Sequence, residues 1–434
     1  MVPVSDRVSE LYMMDSIRKS LEIYLYKWVP DEEYIEGGYY ALLAPNSEEL
    51  ATVIAPTITD DQILSESMNY KEGLLEGEVL KFGSLVAKEL SIQRIYNGIS
   101  YSKKICKAVL ALYDEDGETI VNRITLFNGY VAEDKFQDNG FIRDMTLRSN
   151  LSSVLEWNIG SGGAGDLTGF LQPAPSPLSF DGSTVADYFS FVGIATNCYI
   201  NIPSDPAERR LRFPSPTGRY NSVLDMPIAM SGAEAPLTAS AALSGLAELC
   251  GAFLRENKML VVDASPEEEL PYAVDVYSTW LQMSTLMTHL ELIRLSGASN
   301  AGTFALPWYI NASWSEEDLV NFARAECYIG SELKASVGAD SGVSYQIKDN
   351  AALRKSPDNT KNCYSEAVAS VLAMCNQNNY PIGTLQHLWA PFVEPGDSIV
   401  LTHEDTVVTM PVFSCQVQGI NLLKATTDCR AQAS

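Results

Sequence analysis

Residues 411–419, Pro411-Val412-Phe413-Ser414-Cys415-Gln416-Val417-Gln418-Gly419, set the fold class. Phe413, Cys415 and Val417 alternate with Ser414, Gln416 and Gln418, the two-residue period of a half-buried strand, and Gly419 permits a turn or bulge before INLLKAT. Working back, Pro395-Gly396-Asp397 sets a turn from which an alternating strand departs. The stretch from residue 273 onward carries YSTWLQMSTLMTHLELIRLS and SGVSYQIKDNAALR as strand-like runs, with a helix near Tyr364 to Met374. Residues 1–157 are also read as mainly β after a short amphipathic opening. There Leu21, Ile23 and Leu25 alternate with Glu22, Tyr24 and Tyr26 as a half-buried strand would. The run Asp114-Glu115-Asp116-Gly117 sits between VLALY and TIVNRITLF and is a hairpin turn in this reading; the spacing of oxygen ligands that a calcium loop needs is not present.

Between these regions the pattern changes. Residues 158–182 concentrate Gly, Pro and Ser and read as a linker. Two small helix-then-strand modules follow, over 183–232 and 233–272. The first helix is opened by Ser183-Thr184 before VADYFSFVGIAT. The second is opened by Thr238 or Ser240, with Leu243, Leu246, Ala247, Cys250, Phe253 and Leu254 on one face and KMLVVD following as a strand. The expected class is α+β, mainly β, in the order β-rich, α/β, β-rich.

A chain of 434 residues implies roughly two to four domains, and 46% hydrophobic with 20% charged residues marks a folded globular protein rather than a disordered one. The 55 acidic against 30 basic residues give a formal charge of -25, which disfavours a nucleic-acid backbone or an anionic membrane as main partner. No apolar run is long enough to predict a membrane span, and the opening MVPVSDRVSELYMMDSIRK lacks the apolar core of a signal peptide, so cytoplasmic synthesis is expected. The eight cysteines, Cys106, Cys198, Cys250, Cys327, Cys363, Cys375, Cys415 and Cys429, include no CxxC pair. Free thiols in a reducing compartment are expected, not a zinc or redox site.

Catalytic signatures are few. His289, His387 and His403 lie in unrelated contexts and are read as strand or loop residues. Gly160-Ser161-Gly162-Gly163-Ala164-Gly165 matches GxGxxG, but the prolines of the following DLTGFLQPAPSP forbid the helix such a phosphate loop requires. Neither a GxxxxGK[ST] loop nor a GxSxG elbow occurs. Glu267, Glu268 and Glu269 after Ser265-Pro266 are read as a solvated helix start. The sequons at Asn150 and Asn311 are read as chance. A chain with 55 carboxylates can hold a glycosidase pair unseen, and 21 Tyr with 6 Trp could stack sugars. No catalytic, cofactor-binding or metal-ligating residue is assigned, no cofactor is expected, and the chain is read as not an enzyme.

Three ordered stretches carry a resemblance. The first is Ile58-Thr59-Asp60-Asp61-Gln62-Ile63-Leu64-Ser65-Glu66-Ser67-Met68 with YKEGLLEGEVLKFGSLVAKELSI, then VNRITLFNGYVAEDKF and FIRDMTLRSNLSSVLEW. The second is LTASAALSGLAELCGAFLRENKMLVVD. The third is Tyr345-Gln346-Ile347-Lys348-Asp349-Asn350, Tyr380-Pro381, Val393-Glu394-Pro395-Gly396-Asp397-Ser398-Ile399-Val400 and PVFSCQVQGINLLKAT. Together they resemble the tail-hub (baseplate hub) family of bacteriophage tails. The resemblance implies two tube-like β-barrel domains, 1–157 and 273–434, flanking the α/β modules. It implies a homotrimeric ring that joins the sixfold tail tube to the tail tip and surrounds the DNA channel. The partners it implies are a distal tail protein ring, the tape-measure protein and receptor-binding or fibre proteins, with location in the virion tail tip. DNA would pass without specific binding. The alternative from a different class is a cell-wall polysaccharide hydrolase or sugar-binding tail protein.

Overall fold

A computed structural model describes residues 1–14, 17–30, 38–75, 80–137, 140–157, 159, 184–228, 230, 237–262, 273–281, 286–295, 302–307, 309–315, 322–353, 360–377, 382–403, 406–419 and 424–430. The linker, its GxGxxG match (160–165) and the Glu267–Glu269 cluster fall outside these residues, apart from Ile159.

In chain order the first elements are α1 (Asp6–Met13), β1 (Lys19–Pro30), β2 (Gly38–Leu42), β3 (Asn69–Gly73), β4 (Glu89–Ile95), β5 (Ile105–Tyr113), β6 (Ile120–Phe136), β7 (Ile142–Ser149) and α2 (Asn150–Val154). The middle holds α3 (Val185–Thr196), β8 (Cys198–Asn201), α4 (Pro206–Arg212), α5 (Ala239–Leu249), β9 (Phe253–Glu256) and β10 (Met259–Val262). Short strands β11 (Val274–Val276), β12 (Trp280–Leu281), β13 (Thr288–Ile293) and β14 (Thr303–Ala305) come next. The last elements are β15 (Tyr309–Ser315), β16 (Phe322–Ile329), β17 (Glu332–Gly338), β18 (Val343–Lys348), α6 (Thr360–Gln377), β19 (Ile382–Leu388), β20 (Ser398–His403), β21 (Thr406–Gln418) and β22 (Lys424–Arg430). The protein is mainly β with an α/β part, as expected.

Strands from both halves of the sequence share one 16-stranded sheet, whose main path runs β12-β2-β1-β5-β6-β7-β4-β3-β21-β22-β19-β15. The halves meet where β3 pairs antiparallel with β21, Tyr70 opposite Val417 and Glu72 opposite Cys415. Among the described residues no sheet closes into a barrel. Two three-stranded sheets stand apart, β8-β13-β9 and β17-β16-β18. In the first, β13 runs parallel to β8 and antiparallel to β9, so Thr288–Ile293 pairs within the α/β part.

Local chemistry explains several boundaries. Thr184 caps α3 through a reciprocal box with Asp187, and Asn197 ends that helix in the left-handed region. Thr238, not Ser240, caps α5. The periodic face read through Cys250, Phe253 and Leu254 stops being helical at Leu249. Gly251 takes φ +56 there, and Phe253 and Leu254 belong to β9. Both segments still face one core, which is why a helical period persisted in the sequence. The acidic run 114–117 is the expected turn between β5 and β6, with Asp114 N donating to Thr119 O at 2.8 Å and Gly117 at φ +68. Asp116 Oδ1 accepts from the amides of Glu118 and Thr119, both at 2.8 Å, so the carboxylate stabilises the turn.

β1 departs from the expected half-buried strand because both of its faces are buried through Tyr26. Leu21, Ile23 and Leu25 join the main β core. Tyr24 and Tyr26 join a second cluster with Tyr40, Ile105, Val109 and Leu281, because residues 274–281 cross that face. Asp275 accepts from Lys107 Nζ and, at 2.9 Å, from Thr125 Oγ1, while Tyr277 lies 4.7 Å from Tyr24 ring to ring. Polar residues of β1 and β5 are therefore buried by a later segment that the local pattern of β1 could not announce.

One backbone contact depends on a missing side chain. At Gly129 on β6 a Cβ would sit 1.9 Å from the Arg148 carbonyl oxygen on β7. We expect Gly129→Ala to lower the free energy of unfolding by about 1–3 kcal/mol in a denaturant titration, since the strands must move apart to admit it.

A buried ionic junction as candidate functional site

The Glu394-Pro395-Gly396-Asp397 turn leads into β20 and is tied to β21, with Gly396 N donating to Val412 O at 2.6 Å and Val412 N to Asp397 O at 2.8 Å. Gly396 has φ +97, which only glycine adopts without strain, and a Cβ there would lie 2.3 Å from Ile293 Cδ1. The turn thus presses directly on β13. The carboxylate of Asp397 closes it from within, its Oδ2 accepting from Glu394 N at 2.8 Å.

Charged side chains from distant elements converge on this turn. From the end of β9, Arg255 Nη1 donates to Asp397 Oδ1 and to Pro395 O, each at 3.2 Å, and its Nη2 to Glu291 Oε2 at 2.6 Å. Glu394 Oε2 lies 3.8 Å from the same guanidinium. Two residues past β9, the Lys258 amide donates to Glu394 Oε1 at 2.6 Å, and its Nζ donates to Glu72 Oε1 at 2.6 Å and Val393 O at 3.0 Å. Tyr70 donates to Glu72 Oε2 at 2.9 Å. Lys88 Nζ, 4.0 Å from that oxygen, donates to Leu126 O at 2.9 Å. The Met1 amine and the Gly302 amide complete the shell of Asp397 Oδ1, at 2.8 and 3.1 Å. Asp397 is 0% exposed, Lys258 2% and Glu72 3%, so these charges act at low dielectric and depend on their pairing.

The electrostatics are uneven. Burial alone would raise Glu394, but Arg255, the Met1 amine, Lys88 and Lys258 outweigh it and hold the carboxyl below the usual range. Burial pushes the neighbouring Glu256 up to about 7, against the pull of Lys88 and Ser149 and with Glu72 adding to the rise. Lys88 is lowered, first by burial, with Glu72 and Glu256 opposing.

A smaller polar cluster joins β18 to α5. Asn350 Nδ2 donates to Glu248 Oε2 at 2.8 Å and to Gly245 O at 3.0 Å. Tyr345 OH donates to Glu248 Oε1 at 3.1 Å while accepting from Phe82 N at 3.0 Å. Burial raises Glu248, and the two donors counter it. Tyr345 and Asn350, singled out in the sequence, are therefore load points of one hydrogen-bond cluster.

His289 and His387 lie on different sheets. His289 is on β13 and is lowered by burial; His387, on β19, is pushed by burial down to about 4; the side chain of His403 is outside the described residues. Among the described residues no group of His, Cys, Asp and Glu could hold a metal ion. The seven cysteines whose side chains are described are all buried. Asn150 is buried, its amide donating to Leu286 O at 3.1 Å, and Asn311 lies on β15. No described helix is long and apolar enough to cross a membrane. Arg255, Lys258, Glu72 and Lys88 were not singled out in the sequence. The available signal was charge inside apolar runs, as in LRENKMLVV and YKEGLL. Glu72, Glu394 and Asp397 are engaged by cations and amides and buried, while Glu291 is partly exposed, so these three carboxylates are suited to holding segments together.

No protein-family model matches the chain, and no curated protein matches it. Among solved structures it is similar to the 43 kDa tail protein of prophage MuSo2 from Shewanella oneidensis, with TM-score 0.47 and 10% identity over 94% of this chain and 98% of that one. It is similar to the tail protein from Neisseria meningitidis MC58, with TM-score 0.46 and 11% identity over 95% and 96%. It is also similar to prophage tail protein gp18 from Listeria monocytogenes EGD-e, with TM-score 0.42 and 8% identity over 95% of each chain.

Two outcomes follow from the junction. Lys258→Met should cost about 3–5 kcal/mol in chemical denaturation by leaving buried Glu72 with only the more distant Lys88 as cation, and adding Glu72→Gln should recover part of that loss. Glu256 has its folded pKa raised above the ordinary 4.5, so its stabilising contribution is complete below that value and is lost as pH rises through about 7. Against Glu256→Gln, the wild type should therefore lose up to about 3 kcal/mol of unfolding free energy between pH 5 and 8 in denaturant titrations; parallel curves would show that Glu256 does not titrate in this window.

Proposed function

We propose that this chain is a non-catalytic structural subunit of a phage tail, acting as the hub at the distal tip. One observation carries the reading. The three separated stretches that resemble the hub family meet in one buried junction: Glu72 and Lys88 come from the first, Arg255, Glu256 and Lys258 from the second, and Glu394 and Asp397 from the third. A motif set brought together by ion pairs behaves as one structural device, and this device sets the α/β part rigidly against the β frame.

In this reading the strands β1–β7 and β19–β22 are the two tube-like halves of each subunit. Three copies form a ring whose six halves match the sixfold tail tube, with the DNA channel through the centre. The distal tail protein ring lies above, the tape-measure protein inside, and receptor-binding or fibre proteins around it. The charge of -25, where it lines the channel, keeps DNA phosphates from adhering during passage. The buried carboxylates of the junction do not favour the polysaccharide hydrolase reading, since Glu72, Glu394 and Asp397 are closed off from a substrate.

Native mass over a range of concentrations tests the assembly. A species of three times 47.5 kDa, followed by ring-shaped particles in electron micrographs, is the expected result. A stable dimer or tetramer would sink the hub reading.

A further inference from the structure

Strand β5 begins at Ile105, opposite Tyr130 of β6, yet β6 runs on to Phe136. That further stretch, paired with β7, carries the strand about 20 Å past the end of β5 at the usual strand rise. β4 ends at the same level, with Ile95 opposite Ile142 and Tyr96 N donating to Phe141 O at 2.9 Å. The projecting end is apolar where water meets it: Phe141 is 80% exposed, and Phe136 and Ile95 are 52% each.

This end is also built to hold its shape. The Arg143 guanidinium lies 4.2 Å from the Phe136 ring centre and 5.4 Å from that of Tyr96, and the two rings meet edge to face at 4.6 Å. Arg143 is held in turn by Asp134, Nε donating to Oδ1 at 2.7 Å. Asp134 Oδ2 also accepts from Arg94 Nη2 and Tyr101 N, at 2.9 and 2.7 Å. Exposed rings on so rigid a base lose little freedom on docking.

Two charged loops flank the rings. Arg94 Nη1 donates to Asn97 Oδ1 at 3.2 Å and Asn97 Nδ2 to Asn46 Oδ1 at 3.3 Å, which ties the loop carrying Glu48 and Glu49 to the one carrying Lys103 and Lys104. None of these four side chains forms an ion pair among the described residues, and Glu48, Glu49 and Lys103 are exposed. Phe141, Phe136 and Ile95 expose on the order of 400 Å², about half of the roughly 800 Å² per partner in a stable interface, which leaves the remainder to the flanking loops.

The mix of signs selects the occupant. A partner of one charge is repelled by one of the two loops. A second copy turned about a two-fold axis sets each loop against the opposite loop of its neighbour, with ring packed on ring between them. We propose that the projecting end of β4, β6 and β7 is a two-fold docking surface for a second copy of this chain. The surface stands apart from the tail-hub reading, because single chains and threefold rings pair through it alike.

Native mass of the full chain, compared with Phe141→Ser and Phe136→Ser/Phe141→Ser variants over one concentration range, tests this, with circular dichroism as the folding check. The wild type should reach twice the mass of the double variant, as pairs of rings if the hub reading holds and as pairs of single chains if it fails. Phe141→Ser alone should raise the midpoint concentration of association about tenfold or more. Glu48→Lys/Glu49→Lys should weaken the pairing, and adding Lys103→Glu/Lys104→Glu should restore it. Equal masses for the wild type and the folded Phe141→Ser variant at every concentration, or a charge swap that restores nothing, would overturn the proposal.

Discussion

Charge buried at the Glu394–Asp397 turn is the constraint on which the rest of the structure depends. Arg255, Lys258 and Lys88 leave water to meet Glu72, Glu394 and Asp397, and such desolvation is compensated only when every partner is in place at once. The consequence is specificity of arrangement. Hydrophobic surfaces between the β frame and the α/β part could slide by a residue with little penalty, but a slide here would strand an ion. Gly396 against Ile293 adds a steric limit to the electrostatic one.

Much of this was legible in the sequence where the determinants are local. The alternation at Phe413, Cys415 and Val417 marked β21, the Thr184 and Thr238 caps marked two helices, and the Asp116–Gly117 turn marked a hairpin. What was not legible was set by partners distant in sequence. Tyr24 and Tyr26 face a segment some 250 residues further along, so a strand read as half-exposed is buried on both sides. Phe253 and Leu254 kept a helical period because the helix and the strand after it serve the same core. Of the junction, the turn residues Glu394 to Asp397 stood out through turn chemistry, whereas Arg255 and Lys258 read locally as ordinary charges. Only their acceptors give them meaning.

The two interior polar systems differ in kind. At the junction, formal charges neutralise one another directly, and Glu256 is the member left without a dedicated cation, which is why burial governs it. Around Glu248 the bonds are single donors from Tyr345 and Asn350, each supplied by β18 or the residues just after it, so a hydrogen-bond cluster fixes one small sheet to one helix. Strong pairing is thus found between the large parts of the molecule and softer pairing within the α/β part.

The pairing of β3 with β21 has a consequence for biosynthesis. Asn69 receives a hydrogen bond from Gln416, 347 residues later in the chain, at 3.0 Å. A ribosome adding roughly 5–20 residues per second needs about 20–70 s to deliver that partner after β3 has emerged. Throughout that interval one edge of β3 offers unpaired amides and carbonyls to any passing strand. The nascent chain must spend this time with a templating edge uncovered, so yield in a cell depends on translation speed and chaperone occupancy as much as on the stability of the finished fold.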